Sequence, residues 1–237
     1  MSDEKERVLL IIPAYNEEES IASTINSIRH FIQNTPLDFR LDYIVVNDGS
    51  RDRTVDIVKE MNVDLINLRT NLGLTGGFGA GMKYAQRHYY DFAIQFDADG
   101  QHLPEYIPAM VNAGKEGYNL VVGSRFVDKK RPKSLRMLGN TMISTAIKIT
   151  TGQTINDPTS GMRLFDKRAI AFYVGAPNMA PEPETVSYLI KKKFKVKEVQ
   201  VSMQDRVAGE SYLNLRRSIE YMTRVAISIL VLQPFRK

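Results

Sequence analysis

The chain has 237 residues, 43% hydrophobic and 25% charged, with 15 Gly and 10 Pro, proportions of a globular domain that exclude disorder, collagen and coiled coil. Cysteine is absent, so disulfides, thiolate zinc sites and thiol nucleophiles are excluded, and catalysis must use carboxylates, amides, basic groups or an oxygen-held metal. Lys and Arg number 32 against 27 Asp and Glu, a net charge of +5 that favours anionic partners without choosing between nucleic acid, phosphorylated small molecules and an acidic membrane face.

The first seven residues are polar and acidic, unlike a secretory signal. Residues 8–12 are all apolar and are closed by Pro13, the pattern of a strand buried on both faces, and Ile21, Ile25, Ile28 and Ile32 follow at helical spacing. The alternation continues with a strand at 43–46, a helix at 53–61, a strand at 63–68, a helix at 76–89 and a strand at 92–96. A helix at 103–113 and a strand at 120–122 complete it. Strands separated by single helices predict an α/β, doubly wound, mainly parallel sheet with helices on both faces.

After Gly123 the chain turns basic, with Arg125, Lys129, Lys130, Arg131, Lys133 and Arg136 before a helix at 134–151. Residues 195–201 alternate like an edge strand. From Leu213 onward Ile219, Met222, Ala226 and Ile229 form an apolar stripe, with Arg216, Arg217, Glu220 and Arg224 off it, so the chain is expected to end in an amphipathic helix. The longest apolar stretch, 225–232, covers about two helical turns, short of the roughly 18 residues a membrane span needs. No internal repeat or linker interrupts what reads as a single domain.

In an open parallel sheet, ligands sit beyond the carboxyl ends of the strands. Asp97 and Asp99 follow the fourth strand and flank one small residue. In an extended turn both carboxylates would reach one side and hold a hard divalent cation, with Gln101 as third ligand; otherwise Asp99 and Gly100 only make the bend. His102 reads as a supporting or surface residue. Gly73, Gly76, Gly77, Gly79 and Gly81 line a loop running into a helix, where they would cradle phosphate on backbone N–H groups or let the helix pack closely on the sheet. A dinucleotide fold would need its Gly-x-Gly-x-x-Gly in the first strand-helix turn, which here is Tyr-Asn-Glu-Glu at 15–18, so an NAD site is excluded by position. Glu182 and Glu184 precede a helix and either cap it or contact an acceptor or partner. The basic run at 191–197 is a solvated edge or a membrane contact.

Read in order, Ile-Ile-Pro-Ala-Tyr-Asn-Glu at 11–17, Asn-Asp-Gly-Ser at 47–50, Asn-Leu-Gly at 71–73, Asp-Ala-Asp-Gly-Gln at 97–101, Gly-Ser-Arg at 123–125 and Asp-Pro-Thr-Ser-Gly-Met-Arg at 157–163 resemble the family 2 glycosyltransferases of GT-A fold. The branch most similar contains the dolichol-phosphate mannose synthases and bacterial undecaprenyl-phosphate sugar transferases, and the resemblance spans about 8–232. Asn47 departs from it, since the family often has Asp there.

The resemblance implies a nucleotide-sugar-binding half at 7–123, an acceptor-side half at 124–212 and a membrane- or partner-docking helix at 213–237. It implies that Pro13, Tyr15, Glu17 and Asp48 line the nucleotide pocket with Asp48 accepting a base N–H, that Gly76 and Gly77 lie against the donor, and that Asp97, Asp99 and Gln101 hold Mg²⁺ or Mn²⁺ against the diphosphate. Arg125 and Arg163 would face phosphate, and Asp157 would act as a base or hold its loop. The expected activity is inverting transfer of a hexosyl unit, N-acetylglucosamine or glucose favoured, from a UDP-sugar to a polyprenyl phosphate for cell-envelope polysaccharide modification. Transfer to a saccharide hydroxyl and an inactive nucleotide-sugar-binding scaffold are the alternatives. The expected setting is peripheral, on the cytoplasmic face of a membrane, with a small membrane protein or a second copy as further partner and no nucleic acid.

Overall fold

The computed structural model describes residues 5–132, 134–176, 179–204 and 215–232. Expectations placed on Lys133, Leu213, Arg236 and Lys237, and on the side chains of Arg136, Arg216, Arg217 and Ile219, lie outside the described residues. Strands β1 (Arg7–Ala14), β2 (Arg40–Asp48), β3 (Leu65–Leu68), β4 (Phe92–Gln95), β5 (Leu120–Ser124), β6 (Arg163–Asp166) and β7 (Val196–Gln200) form one sheet in the order β3-β2-β1-β4-β6-β5-β7. All neighbours pair in parallel except β6, which runs antiparallel between β4 and β5. The α/β, mainly parallel architecture is therefore as expected, and β7 is an edge strand.

Along β1 successive side chains enter different cores, which is why its sequence is apolar without alternation. Val8, Leu10 and Ile12 meet α1 (Ile21–Asn34), α2 (Thr54–Glu60) and α4 (Ile107–Lys115) on one face. Leu9 and Ile11 share the other face with α3 (Gly73–Arg87), α5 (Leu135–Thr151), α6 (Lys167–Gly175), α7 (Pro183–Lys191) and α8 (Leu215–Ile227), which runs on into a π-helical turn at Ser228–Leu232.

Two departures from the sequence reading matter for the site. The helix expected at 76–89 starts earlier, so its entry at Gly73 is helix and not loop: α3 begins at Gly73, because Asp48 Oδ1 accepts the Leu72 N–H at 2.8 Å and Asn71 Oδ1 accepts the Gly73 N–H at 2.9 Å, supplying acceptors to the helix entry. At Gly81 a Cβ would lie 2.3 Å from Ile11 Cγ2, so this glycine serves close approach of helix to sheet. Second, neither β6 nor α6 is anticipated by local pattern. β6 has four residues, two of them charged, and exists through pairing with β4 and β5. Its antiparallel direction starts it at the edge where the parallel strands end, opposite Gln95 of β4.

Candidate active site

The carboxyl ends of β1, β2 and β3 surround a cavity of about 560 Å³ lined by Tyr15, Asn47, Gly49, Ser50, Arg51, Val55, Asn67, Leu68, Arg69, Thr70 and Asn71. Its wall is rich in amides. Asn47 uses both ends of its amide, Nδ2 donating to Asn67 Oδ1 at 2.7 Å and Oδ1 accepting the Ser50 N–H at 3.2 Å, so the residue that departs from the family's Asp joins two strand ends. Gly49 is required by two independent features: its φ is +74°, and a Cβ would come 2.7 Å from the Asn71 nitrogen. Asp48 is buried between this cavity and α3, with one oxygen committed to Leu72, and Gly77 packs on its side chain. Glu17 lines a neighbouring cavity of about 380 Å³ with Asn16, Glu18, Glu19, Ser20, Arg51 and Asp52. Pro13 is half-buried on β1, and Gly76 lies in the first turns of α3.

Next along the sheet edge stand the carboxylates after β4. Asp97 has a side chain 34% exposed; Oδ1 accepts from Gln95 Nε2 at 3.1 Å, and Oδ2 faces His102 Nε2 at 3.5 Å. His102 is buried, and its Nδ1 accepts the Asp97 backbone N–H at 2.9 Å, which places the ring proton on Nε2, toward the carboxylate. Asp99 is buried, with Oδ1 accepting the Gln101 N–H at 3.1 Å. The 157–161 loop closes on the same carboxylate: a Cβ at Gly161 would lie 2.5 Å from Asp97 Oδ2. Among the described residues no three His, Cys, Asp or Glu side chains group closely enough to hold a metal by themselves. The donors here are two carboxylates and the Gln101 amide, all oxygen, which suits a cation such as Mg²⁺ that binds one or two carboxylates and takes its remaining ligands from water and substrate phosphates.

Beyond β5, Arg125 forms a two-armed ion pair with the fully buried Asp157, Nε to Oδ2 at 2.6 Å and Nη2 to Oδ1 at 2.8 Å. Burial pulls its guanidinium down, but the Asp157 carboxylate more than offsets this and holds it above its ordinary value. Asp157 Oδ2 also accepts the Arg125 backbone N–H at 3.1 Å, and Oδ1 accepts from Asn140 Nδ2 at 2.9 Å. Arg163, expected to face phosphate, instead points into the interior at 1% exposure, because the first residue of β6 shares its face with Phe165. Nη2 donates to the Pro158 carbonyl at 2.8 Å, while Nε and Nη1 have no partner among the described residues. Burial lowers its pKa against the opposing influence of Tyr221, Glu182, Asp97 and Asp157. Glu182 is pushed up, first by burial and then by Glu184, and makes no side-chain capping bond to α7.

Residues 9–173 match the family described as Glycosyl transferase family 2. The chain belongs to that family. It is 34% identical over 69% of its length to the UDP-N-acetylglucosamine--dolichyl-phosphate N-acetylglucosaminyltransferase of Methanococcus voltae, covering 70% of that protein. It is 26% identical to the polyprenol monophosphomannose synthase of Mycolicibacterium smegmatis over 93% of this chain and 86% of that one. The fold is GT-A: a crystal structure of glucosyl-3-phosphoglycerate synthase from Mycobacterium tuberculosis, in complex with Mn²⁺, UDP and phosphoglyceric acid, superposes with a TM-score of 0.67. That match has 16% identity and covers 96% of this chain and 78% of that one.

In this glycosyltransferase the residues that sequence reasoning did not single out are those recruited by long-range contacts. Glu198 of β7 accepts the N–H groups of Asn156 and Asp157 at 2.7 and 2.8 Å, and Asn140 of α5 reaches Asp157 and Thr159. Asn140 carries a usable signal, since it falls on the buried row Met137, Ile143 and Ile147, where a polar residue needs a partner. Gly161 and the cavity-lining Asn67 and Arg69 carry none that distinguishes them from ordinary turn residues.

Proposed function

We propose that this chain is an inverting glycosyltransferase that moves a hexosyl unit, N-acetylglucosamine or glucose, from a UDP-sugar to a polyprenyl phosphate. The observation that carries the choice of acceptor is the state of Asp157. A saccharide hydroxyl needs a carboxylate to take its proton, and the candidate for that task is fully buried with both oxygens engaged by Arg125 and Asn140. A phosphate is already anionic and needs no such base; it needs a cation to hold it beside the donor's diphosphate, and Arg125 stands beyond Asp97 and Asp99 along the sheet edge. The names of the archaeal and mycobacterial relatives, one a dolichyl-phosphate and one a polyprenol transferase, support the acceptor class.

In this reading the amide-lined cavity takes the nucleotide, and Asp97, Asp99 and Gln101 would hold Mg²⁺ or Mn²⁺, whose chemistry is to stabilise the charge on the leaving diphosphate. Arg125, pinned by Asp157, would turn to the acceptor phosphate the guanidinium edge that Asp157 does not occupy. In this reading attack by the acceptor phosphate is direct, so an α-linked donor gives a β-linked product. The test is a product assay with UDP-N-acetylglucosamine, UDP-glucose and GDP-mannose against short-chain polyprenyl phosphates, with the anomeric coupling read by NMR. A β-linked lipid-phosphate sugar from a UDP donor is expected. An α product overturns single displacement, and transfer only to saccharide hydroxyls overturns the acceptor.

A further inference from the structure

The 155–161 loop is held from several sides. Glu198 takes two of its backbone N–H groups, Ser144 Oγ donates to the Ile155 carbonyl, and Arg131 donates to the Asn156 carbonyl. One contact in this set does more than hold backbone. Asn140, fully buried on α5, donates through Nδ2 to both Asp157 Oδ1 and Thr159 Oγ1 at 2.9 Å each, while its Oδ1, equally buried, has no partner among the described residues. An amide used twice at one end and not at all at the other is oriented by what it serves, since reversing it would set an oxygen against the carboxylate. Asp157 Oδ1 thus collects Arg125 Nη2, Asn140 Nδ2 and the Thr159 hydroxyl at 3.2 Å.

A guanidinium has two edges able to grip a pair of oxygens. Asp157 occupies the Nε/Nη2 edge of Arg125, leaving for a second oxyanion the Nη1/Nη2 edge, on which Nη2 makes only a long contact with Thr159 Oγ1 at 3.4 Å. The plane of the carboxylate fixes the plane of the guanidinium, and Asn140 fixes the carboxylate. We infer that Asn140 is a positioning residue: acting through Asp157, it sets which edge of Arg125 is presented to the acceptor phosphate. This rests on the phosphate acceptor proposed above.

The test uses Asn140→Asp and Asn140→Ala, with acceptor and donor KM measured separately at pH 8 and pH 5.5 and expressed as ratios to the native chain at the same pH, so that titration of the phosphate cancels. At pH 8 both variants should raise the acceptor KM about tenfold, the size of one lost hydrogen bond to a charged group, and leave the donor KM within about twofold. The new carboxyl of Asn140→Asp faces Asp157, with Arg125 in contact, Glu198 on the loop backbone and Arg163 within electrostatic reach. Two carboxyls sharing a site titrate as a pair with one value raised, and the protonated form again carries a donor. Acceptor KM of Asn140→Asp should therefore recover toward native at pH 5.5, whereas Asn140→Ala should not. Equal losses at both pH values in Asn140→Asp, or equal losses in donor and acceptor KM, overturn the assignment. If Asn140→Asp fails to fold, Asn140→Ala decides on the donor-acceptor split alone. Should the native chain glycosylate no lipid phosphate, the proposed acceptor fails by itself, and binding of inorganic phosphate followed by 31P NMR replaces the acceptor KM with the same expected pH pattern. A native chain that binds no phosphate at all overturns the inference as well.

Discussion

Asp97 stands between two supports of different kind, the Gln95 amide on one oxygen and the buried His102 ring on the other, with the Gly161 backbone against it. A side chain so held yet one-third exposed is suited to meet a ligand without rearranging. Asp97→Ala and Asp99→Ala are each expected to lower turnover by about a hundredfold or more, the scale of removing one group that stabilises developing charge. Excess chelator should reproduce the loss, and melting temperature should stay near native for Asp97→Ala. Full activity in chelator would exclude a metal role for this pair. Asp97, Asp99 and Gln101 are legible in the sequence because they directly follow a strand. Arg163 shows where that reading stops: its place in a motif says that an arginine is needed, but whether it turns outward or inward depends on the direction of β6, which only long-range pairing sets.

At the scale of elements, α3 separates two uses of glycine. A Cβ at Gly81 would meet Ile11 at 2.3 Å, whereas one at Gly79 has nothing within 4 Å among the described residues. Gly81→Ala is expected to cost about 1–3 kcal/mol through overpacking, read as a lower urea midpoint. Gly79→Ala should be neutral or gain up to about 1 kcal/mol of helix propensity. A large rise in donor KM in Gly79→Ala, with stability unchanged, would return that glycine to a phosphate-binding role. A second element-level device joins the end of β1 to α2: Asp52 accepts from the Thr54 N–H and hydroxyl and from the Glu18 N–H. Burial raises its pKa, but these hydrogen bonds outweigh it and hold the group below 3.8. A depressed native pKa means that the unfolded chain takes up the proton first, so the stability Asp52 contributes is complete above 3.8 and drains away as pH falls through the native value. Asp52→Asn should lower the melting temperature by about 2–4 °C at pH 7, from roughly 1 kcal/mol of lost hydrogen bonding. The gap from native should close in acid; a gap that persists there would assign the loss to packing. The long apolar strands and the helices with clear 3.6-residue spacing were readable from the sequence because one turn or one strand carries the whole pattern. The start of α3 was not, since its acceptors include Asp48, 24 residues upstream of Leu72.

For the whole molecule, the surface opposite the packed side of α5 and α8 follows from the proposed lipid acceptor. No described helix is long and apolar enough to cross a membrane. Yet α5 exposes Leu138, Met142 and Ile149 at helical spacing, and the end of α8 and its π turn expose Ile227, Leu230 and Val231. The two helices are packed neighbours, so tightly that a Cβ at Gly139 would overlap Met222 Sδ. Val225, Ala226 and Ile229 belong to the core, so removing the chain after Thr223 would open the interior and could not report on docking alone. Point changes on the outer rows avoid this. Ile149→Glu with Ile227→Glu takes away two side chains worth about 1.5–3 kcal/mol each at full burial. Co-sedimentation with vesicles containing anionic lipid is then expected to fall by about a hundredfold or more, with melting temperature and UDP binding unchanged. Added salt should weaken native binding as well, since each basic group near an anionic surface is worth about 1 kcal/mol. If the double variant binds vesicles as the native chain does, these rows are not the lipid contact. A loss of self-association at high concentration would then mark them as the interface with a second copy, and an unchanged association state would move the membrane contact to the basic run at 191–197.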